Sequence, residues 1–389
     1  MLRHLQRISL YLLFLAVPVS SLSPALKTRH ETRINAVLLD FDAFVEITLD
    51  AWNLPGMAIA VVENDSIVFL KGYGVRRIDR PDPIDIHTVF RIASVSKTFA
   101  STLTGLLVEE GVLNWNDRVY EYLPNFSLKD SVNTYHLTIR HILSHTSGLI
   151  PHTYDNLIEA NQSYRKIVSA LKDVPLVGQP GKHYGYQNVV FSLIGDIVES
   201  ATGTSYKTLV RDKLFKPLEM TDASLGWDAY LAKTNRASPH TVQHYTWKAI
   251  DDKKAYYSIP PSAGVNASIS DMARWLRAQM GATPDIVSPA ILQSIHTPRV
   301  RTPGELPRYH WNGRVRNAYY GMGWRIFNYA GHTMITHSGG IEGYLTQLAF
   351  IPDLKIGLVV LMNSRKIDFL LPTFFDMYLG IDETADDGQ

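Results

Sequence analysis

The pattern of apolar and polar positions near the start of the chain predicts a β-hairpin. Two runs rich in apolar and β-branched residues, Met57 to Glu63 and Ser66 to Lys71, are separated by Asn64-Asp65. That pair tolerates the positive φ angles of a tight turn, so we expect the two runs to pair as antiparallel strands.

A second group of strand-like runs lies near the other end of the chain. Short turn pairs, Ala330-Gly331 and Pro352-Asp353, interrupt the apolar pattern there. Since the runs are joined by short turns, they predict an antiparallel sheet. The expected strands are Trp324 to Tyr329, Thr333 to His337, Leu345 to Ile351 and Ile356 to Met362.

The middle of the chain has helical periodicity instead. One expected helix, Lys97 to Glu110, has an apolar face and ends before Gly111, and another, Val189 to Ser200, ends before Gly203. Clusters of Pro and Gly predict surface loops at residues 176–185 and 302–307.

The order of these elements suggests one domain built from two ends of the chain. Because about two hundred mostly helical positions separate the strand-rich regions, the simplest architecture folds both ends into one sheet. We expect a domain over residues 36–380, with its sheet drawn from about 40–93 and 300–365 and a helical insertion between. A site at the junction of the two parts is expected.

Composition is that of a folded protein without a nucleic-acid partner. Hydrophobic residues make up 46% and charged residues 19% of the chain. Lys plus Arg number 38 against 37 Asp plus Glu, and no long basic run offers a phosphate-binding surface. Cys is absent, which excludes disulfides, thiolate metal ligands and Cys nucleophiles, so any catalysis must use other side chains.

The N-terminus predicts export. Arg3 and Arg7 precede an apolar run from Ile8 to Val19, and small residues follow, so residues 1–23 are interpreted as a signal peptide. The run is shorter than the ~20 apolar residues of a spanning helix, although an uncleaved membrane anchor is an alternative. No later segment is long and apolar enough to span, so the mature chain is expected in the periplasm or outside the cell.

A serine and a lysine provide the first candidate chemistry. Ser94 opens the first expected helix and Lys97 follows three residues later, so their side chains share a face. A serine hydroxyl needs a neighbouring base to become a nucleophile, and a helix N-terminus stabilises developing negative charge. The spacing alone is weak evidence, because Ser163 and Lys166 repeat it and such pairs are usually solvated helix surface.

Two further motifs accompany this pair and together suggest a family. Tyr186-Gln187-Asn188 opens the second expected helix, and His337-Ser338-Gly339-Gly340 lies on a late strand. With Ser94 to Lys97, these motifs resemble in order and spacing the penicillin-recognising serine hydrolases, in the branch of class C β-lactamases, DD-carboxypeptidases, D-aminopeptidases and esterases. The resemblance covers about residues 40–365 and extends to Leu137 to Leu149, Ser262-Ala263-Gly264 and Tyr320 to Trp324.

The resemblance implies a fold and a set of roles. The fold would be α/β and β-lactamase/transpeptidase-like, an antiparallel sheet flanked by helices with an inserted all-helical domain. Ser94 would form an acyl-enzyme, Lys97 and Tyr186 would share proton transfer, and Asn188 would hydrogen-bond Lys97 and the substrate amide. The strand motif would contact substrate through His337, Ser338, Gly339 and Gly340, and the backbone N–H groups of Ser94 and Gly340 would form the oxyanion hole.

Two departures bear on the substrate. Gln187 stands where the family often has Ser, and its side chain is expected to point away. His337 stands where class C β-lactamases usually have Lys, and an unperturbed His is largely neutral at pH 7. The resemblance therefore favours the peptidase and esterase members, acting on a peptide or another small molecule.

Other interpretations remain open. His141 and His145 have the spacing of zinc ligands on a helix, but Ile142 stands where the metalloprotease motif needs Glu, so neither a metal nor an organic cofactor is expected. We expect His145 instead to brace the loop around Ser147-Gly148. The alternative to a hydrolase is a non-catalytic, penicillin-binding-type sensor or scaffold, and the oligomeric state is not predicted.

Overall fold

A computed structural model describes residues 24–309, 311 and 313–381. The predicted signal peptide, residues 1–23, lies outside these residues, so export stays a prediction. The helices are α1 Pro24–Ala51, α2 Ser96–Glu109, α3 Val119–Tyr122, α4 Ser131–His136, α5 Ile139–Leu143, α6 Asp155–Glu159, α7 Tyr164–Ala170, α8 Val189–Thr202, α9 Tyr206–Val210, α10 Trp227–Leu231, α11 Pro260–Ala263, α12 Ile269–Gln279, α13 Pro289–His296, α14 Leu306–Tyr309 and α15 Leu370–Leu379. The strands are β1 Gly56–Glu63, β2 Ser66–Gly74, β3 Phe90–Arg91, β4 Ser224–Leu225, β5 His240–Gln243, β6 Thr246–Ala249, β7 Val265–Ala267, β8 Val300–Arg301, β9 Val315–Tyr320, β10 Arg325–Tyr329, β11 His332–Ile341, β12 Tyr344–Ile351 and β13 Ile356–Met362. Short 3-10 turns cover Ala93–Val95, Leu171–Asp173, Ala255–Ser258 and Pro303–Glu305, and a π-turn covers Arg211–Phe215.

Both ends of the chain contribute to one antiparallel sheet. Its strand order is β2-β1-β13-β12-β11-β10-β9-β8, and every neighbouring pair is antiparallel. The N-terminal hairpin joins the C-terminal strands through β1 and β13, which run in register from Met57 opposite Met362 to Glu63 opposite Ile356. The predicted hairpin is confirmed, and Asn64 in its turn has a φ of 54°. The expected fold class, an antiparallel sheet flanked by helices, is confirmed.

Alternating side chains of the central strands supply two separate cores. On β1, Ala58, Ala60 and Val62 pack with the helical region on one face of the sheet. Met57, Ile59 and Val61 point to the other face, where α1 and α15 cover the sheet. Because both faces are covered, the central strands are buried throughout and their sequences are continuous apolar runs.

The helical region is organised around α2. Most of this helix is buried, and it contacts α8, α9, α11 and α13, so its apolar residues face inward on nearly every side. Phe99 stacks on Trp275 of α12 with ring centroids 3.8 Å apart, which ties α2 to the helix that packs on β1 and β13. The position of α2 between the sheet and the other helices places the start of this helix at their junction.

The structure differs from the sequence-based expectations at several elements. Strand β11 continues to Ile341, past the predicted end at His337, because pairing with β12 overrides the poor strand propensity of its glycines. The expected loop at 302–307 contains a 3-10 turn and the start of α14. The edge strand β8, its neighbour β9 and the covering helices α1 and α15 were not predicted. Among the described residues, no helix is both long and apolar enough to cross a bilayer.

Candidate active site

Ser94 lies on a strained turn just before α2. It is the middle residue of the 3-10 turn Ala93–Val95, and the preceding Ala93 adopts a left-handed φ of 46°. Such a conformation is costly for a residue with a Cβ and persists only where the surroundings enforce it. The Ser94 side chain is half-buried at the wall of a cavity of about 320 Å³.

Lys97 is completely buried beside Ser94. Its ammonium Nζ donates to Asn188 Oδ1 at 2.7 Å, to the backbone oxygen of Ser262 at 3.2 Å and to Ser94 Oγ at 3.4 Å. Burial lowers the pKa of Lys97 well below its usual value, the negative charge of Asp155 opposes this shift, and Arg325 adds to it. The site thus holds a lysine whose proton is easier to remove than in water.

Tyr186 and Asn188 stand at the entrance to α8. Asn188 immediately precedes the helix, and both ends of its amide are fixed, since its Oδ1 accepts from Lys97 while its Nδ2 donates to Asp155 Oδ2 at 2.8 Å. Lys97 Nζ and the Arg325 guanidinium lie 4.8 and 5.4 Å from the centre of the Tyr186 ring. The Gln187 side chain donates to the backbone oxygen of Ile150 and does not line the cavity.

Strand β11 approaches the Ser94 turn so closely that only glycine fits at position 339. A Cβ on Gly339 would collide with the Ile92 carbonyl and lie 2.9 Å from the backbone nitrogen of Ser94. This contact brings the next residue, Gly340, to the cavity wall together with Ser338. Gly339 itself does not line the cavity; its contribution is the close approach of the two backbones.

His337 is buried behind the cavity and does not line it. Its Nε2 contacts the Tyr320 hydroxyl at 3.1 Å, and its Nδ1 lies 2.9 Å from the backbone oxygen of Ser338. The same hydroxyl is 3.2 Å from His145 Nε2, and His145 Nδ1 accepts from the Gln187 backbone N–H at 3.1 Å. These contacts form a chain of hydrogen bonds between the Tyr186-Gln187-Asn188 segment and β11.

The direction of this chain follows from its two ends. The Gln187 N–H can only donate, so His145 Nδ1 accepts and His145 Nε2–H donates to the tyrosine oxygen. The tyrosine hydrogen then goes to His337 Nε2, and His337 Nδ1–H donates to the Ser338 carbonyl. Every contact is satisfied with both imidazoles neutral, and burial, reinforced by the charge of Lys97, lowers the pKa of His145 well below its usual value.

The cavity therefore gathers most of the residues expected from the sequence. Its wall includes Ser94, Tyr186, Asn188, Ser338 and Gly340. Lys97, buried behind this wall, contacts Ser94 and Asn188. His337 and Gly339 are sequence neighbours of Ser338 and Gly340 on β11, but they do not line the cavity themselves.

Several polar residues of the site were not singled out from the sequence. Asp155 follows a segment in which His152 and Tyr154 have positive φ angles. Its Oδ2 accepts a hydrogen bond from Asn188 Nδ2 and lies 2.8 Å from His152 Nδ1. Arg325, at the start of β10, pairs with Glu305 at 3.1 Å. Arg325 lies within the predicted strand Trp324 to Tyr329, but neither Asp155 nor Arg325 belongs to the three motifs, so only the fold shows that these charges reach the cavity.

The two histidines with zinc-like spacing serve other purposes. His141 Nδ1 accepts from the Thr138 backbone N–H in the first turn of α5, and both ring nitrogens of His145 are used in the hydrogen-bond chain. The His145 side chain thus holds the backbone around Gln187 and the Tyr320 hydroxyl, rather than the loop around Ser147-Gly148 that we expected. Within the part of the chain that the structure describes, no group of three or more potential ligand side chains could hold a metal ion.

The sheet flanked by helices, with these residues gathered at its junction with the helical region, defines a β-lactamase/transpeptidase-like serine hydrolase fold. The octameric penicillin-binding protein homologue from Pyrococcus abyssi has a similar structure, with a TM-score of 0.79 and 24% identity over 88% of this chain and 77% of that chain. The chain belongs to the Beta-lactamase family, whose model matches residues 41–371.

Two curated relatives are similar over most of this chain. Unguisins hydrolase ungD' of Aspergillus campestris is 28% identical over 341 residues, which cover 84% of this chain and 61% of that protein. Protein flp of Staphylococcus aureus is 28% identical over 331 residues, covering 84% and 63% respectively. The chain therefore spans about three-fifths of the length of these relatives.

Proposed function

We propose that this protein cleaves an amide or ester bond through an acyl-enzyme on Ser94. The observation that most supports this is the completely buried Lys97, whose Nζ lies 3.4 Å from Ser94 Oγ. Because burial lowers the pKa of Lys97, the neutral amine is accessible and can take the hydroxyl proton. A solvated Ser/Lys pair on a helix surface would have no such property.

Acylation would begin when Ser94 Oγ attacks the substrate carbonyl carbon. The hydroxyl proton passes to the Lys97/Tyr186 pair, and the carbonyl electrons move onto oxygen, where the backbone N–H groups of Ser94 and Gly340 would stabilise the charge. Collapse of this intermediate breaks the bond to the leaving amine or alcohol, which takes the proton from the same pair. Removing one oxyanion donor costs about 3 kcal/mol of transition-state stabilisation in enzymes of this type.

Deacylation would repeat these steps with water. Water attacks the ester carbonyl and gives one proton to the Lys97/Tyr186 pair, and that proton returns to Ser94 Oγ as the acid product leaves. The two cations beside the Tyr186 ring, Lys97 and Arg325, would stabilise negative charge on its oxygen by Coulomb attraction. The roles of base and acid thus belong to the pair as a coupled unit.

The substrate class that we propose is a peptide containing D-amino acids or a small ester, with β-lactams as a third candidate. The neutral hydrogen-bond chain through His337 supports this order, because it leaves no fixed positive charge at the position where β-lactamases of class C carry lysine. Hydrolysis is also the activity in the name of the Aspergillus relative, unguisins hydrolase.

The test compares the protein with Ser94→Ala and with a matched control, Ser163→Ala. Ser163 has the same spacing to Lys166, but both side chains are exposed at the start of α7. Loss of the Ser163 hydroxyl should therefore change neither labelling nor turnover. We expect a fluorescent penicillin or fluorophosphonate to label one serine per chain, and Ser94→Ala alone to lose the label.

Turnover is measured with a chromogenic cephalosporin, a p-nitrophenyl ester and a D-Ala-D-Ala peptide. Hydrolysis of any of these by the wild type and by Ser163→Ala, but not by Ser94→Ala, supports the serine mechanism. Labelling of Ser94 without turnover would instead support the sensor function, and turnover that persists in Ser94→Ala would refute the proposal.

A further inference from the structure

The helical region contains a cavity of about 690 Å³ that is separate from the one beside Ser94. The two cavities have no lining residue in common. The walls of the helical-region cavity come from the segment 122–127, from α7 and the turn after it, and from the middle of α8. Its volume is typical of a small-molecule site, and the reaction proposed at Ser94 makes no use of it.

Apolar side chains form one part of this wall. Phe126 and Leu193 are buried, and Leu123 and Val168 are half-buried beside them. A ligand that covers these side chains removes apolar surface from water, which stabilises the complex. The cavity therefore favours a ligand with a hydrocarbon side chain.

One carboxylate stands among these apolar groups. Asp196 is half-buried and is the first charged residue of α8, and its Oδ2 accepts from the Tyr164 hydroxyl at 2.9 Å. Burial raises the pKa of Asp196, while the Tyr164 hydrogen bond and the charge of Arg165 oppose that shift. Among the residues that the structure describes, no cation lies within ion-pair distance of Asp196. A positively charged ligand group would compensate a charge that the protein leaves unpaired.

Two cations line the same cavity. Arg165 on α7 and Lys172 in the next turn are exposed, and within the described part of the chain neither has a carboxylate at ion-pair distance. A ligand with only a positive charge would be repelled by these two cations, and a ligand with only a negative charge would be repelled by Asp196. A ligand that carries one charge of each sign complements both parts of the wall.

We propose that this cavity binds a zwitterion with an apolar side chain, namely an amino acid or a short peptide with free termini. Its ammonium group would contact Asp196, and its carboxylate would contact Arg165 or Lys172. Asp196 lies two turns beyond Asn188 on α8, about 12 Å along the helix axis, so this site is distinct from the place of reaction. The inference therefore does not rest on the proposed function.

The experiment measures the binding of three dipeptides by calorimetry. Leucyl-leucine carries both charges, N-acetyl-leucyl-leucine lacks the ammonium group, and leucyl-leucinamide lacks the carboxylate. The full chain carries Ser94→Ala throughout, so that no peptide is turned over. Asp196→Asn removes the charge and keeps an oxygen that can accept from Tyr164. Glu199→Gln is the matched control, because Glu199 is an exposed carboxylate one turn further along α8 that does not line the cavity.

We expect leucyl-leucine to bind, and Asp196→Asn to weaken its binding by about 10- to 100-fold, the usual effect of a hydrogen bond between charged groups. N-acetyl-leucyl-leucine should bind weakly to both proteins, and Glu199→Gln should bind leucyl-leucine with unchanged affinity. No measurable binding of leucyl-leucine would overturn the proposal. Equal affinity with and without the Asp196 charge, or an equal loss in Glu199→Gln, would overturn it as well.

The other end of the ligand has an independent test that changes only exposed side chains. The Arg165→Gln, Lys172→Gln double variant should bind leucyl-leucine less tightly and should not lose affinity for leucyl-leucinamide. Lys166→Gln is the control, since Lys166 is an exposed cation of α7 that does not line the cavity. Equal losses for the two peptides, or no loss for leucyl-leucine, would refute the contact with the carboxylate.

Discussion

Replacing Asp155 with asparagine should slow acylation although Asp155 does not touch Ser94. The carboxylate accepts from Asn188 Nδ2 at 2.8 Å, and the other end of that amide accepts from Lys97 Nζ at 2.7 Å. The carboxylate thereby selects the orientation in which the Asn188 oxygen faces Lys97. Asp155→Asn keeps the shape of the side chain but replaces an acceptor by an amide that can rotate to present a donor.

The size of the effect follows from the hydrogen bond that is weakened. A bond to a charged group contributes about 1.5–3 kcal/mol and a neutral one about 1 kcal/mol, so the substitution loses about 0.5–2 kcal/mol of orientation energy. At 1.36 kcal/mol per factor of ten, the acylation rate should fall by about 2- to 30-fold. Asp155→Ala should cost more, because the Asn188 amide would then be left buried without an acceptor.

The same substitution should move the acid limb of the pH–rate profile. The negative charge of Asp155 raises the pKa of Lys97 against the larger effect of burial, and Arg325 acts in the opposite direction. Removing the carboxylate lowers the pKa of Lys97 further, so the neutral amine appears at lower pH and the acid limb shifts to lower pH. His145 faces the same group, but burial lowers its pKa and keeps it neutral.

Stopped-flow acylation by a fluorescent penicillin or an active ester, recorded between pH 5 and 9, measures both effects. Asp173→Asn is the matched control, since Asp173 is an exposed carboxylate in the same helical region and the substitution is identical. A purely structural role for Asp155 would lower the rate without moving the limb. An unchanged rate, or a limb displaced to higher pH, would refute the reasoning.

Two further predictions concern backbone contact and stability. Gly339→Ala should reduce the acylation rate by more than about 100-fold, because the added Cβ would push β11 away from the Ser94 turn. The control Gly304→Ala should stay active, since there is open space around Gly304. Normal acylation by Gly339→Ala would contradict the close approach of the two backbones. Burial raises the pKa of Asp271 to about 6, so the folded state binds the proton more tightly than the unfolded chain. Unfolding free energy from urea titrations should therefore fall by up to about 3 kcal/mol between pH 4 and 6, and this fall should be absent in Asp271→Asn.

The sheet was predictable because side chains on both faces of its central strands are buried in hydrophobic cores. In β1 and β13 every position is buried, so each strand appears in the sequence as an uninterrupted apolar run between turn residues. Predicted and observed bounds of β13 coincide at Ile356 and Met362. The edge strand β8 and its neighbour β9 were missed because β8 is only two residues long and β9 is only partly buried, which leaves a weak pattern in the sequence.

The site was only partly predictable, for a different physical reason. Ser94, Lys97, Tyr186 and Asn188 belong to short motifs, and motifs survive in the sequence as fixed spacings. Asp155 and Arg325 belong to none of these motifs, although Arg325 lies in the predicted strand Trp324 to Tyr329. Their importance depends on long-range contacts that local patterns do not record.

His337 belongs to the predicted strand motif, but its side chain does not line the cavity. The sequence places it where a substrate-facing cation would stand, yet the side chain is fully buried and both ring nitrogens are engaged behind the cavity. Protonating it would add a second donor at Nε2, facing a hydroxyl already receiving a hydrogen bond from His145. The tyrosine could accept both hydrogen bonds only by turning its own hydrogen away from His337.

Alternate residues of β11 therefore have different tasks. His337 and Gly339 tie the strand to its surroundings, His337 through the Tyr320 hydroxyl and Gly339 through its close approach to the Ser94 turn. Ser338 and Gly340, the residues between and after them, line the cavity. Because successive residues of a strand point to opposite sides, the residues that position β11 are separate from those that face the cavity. A substitution at a cavity-facing position can then change the cavity wall without altering the contacts that hold the strand in place.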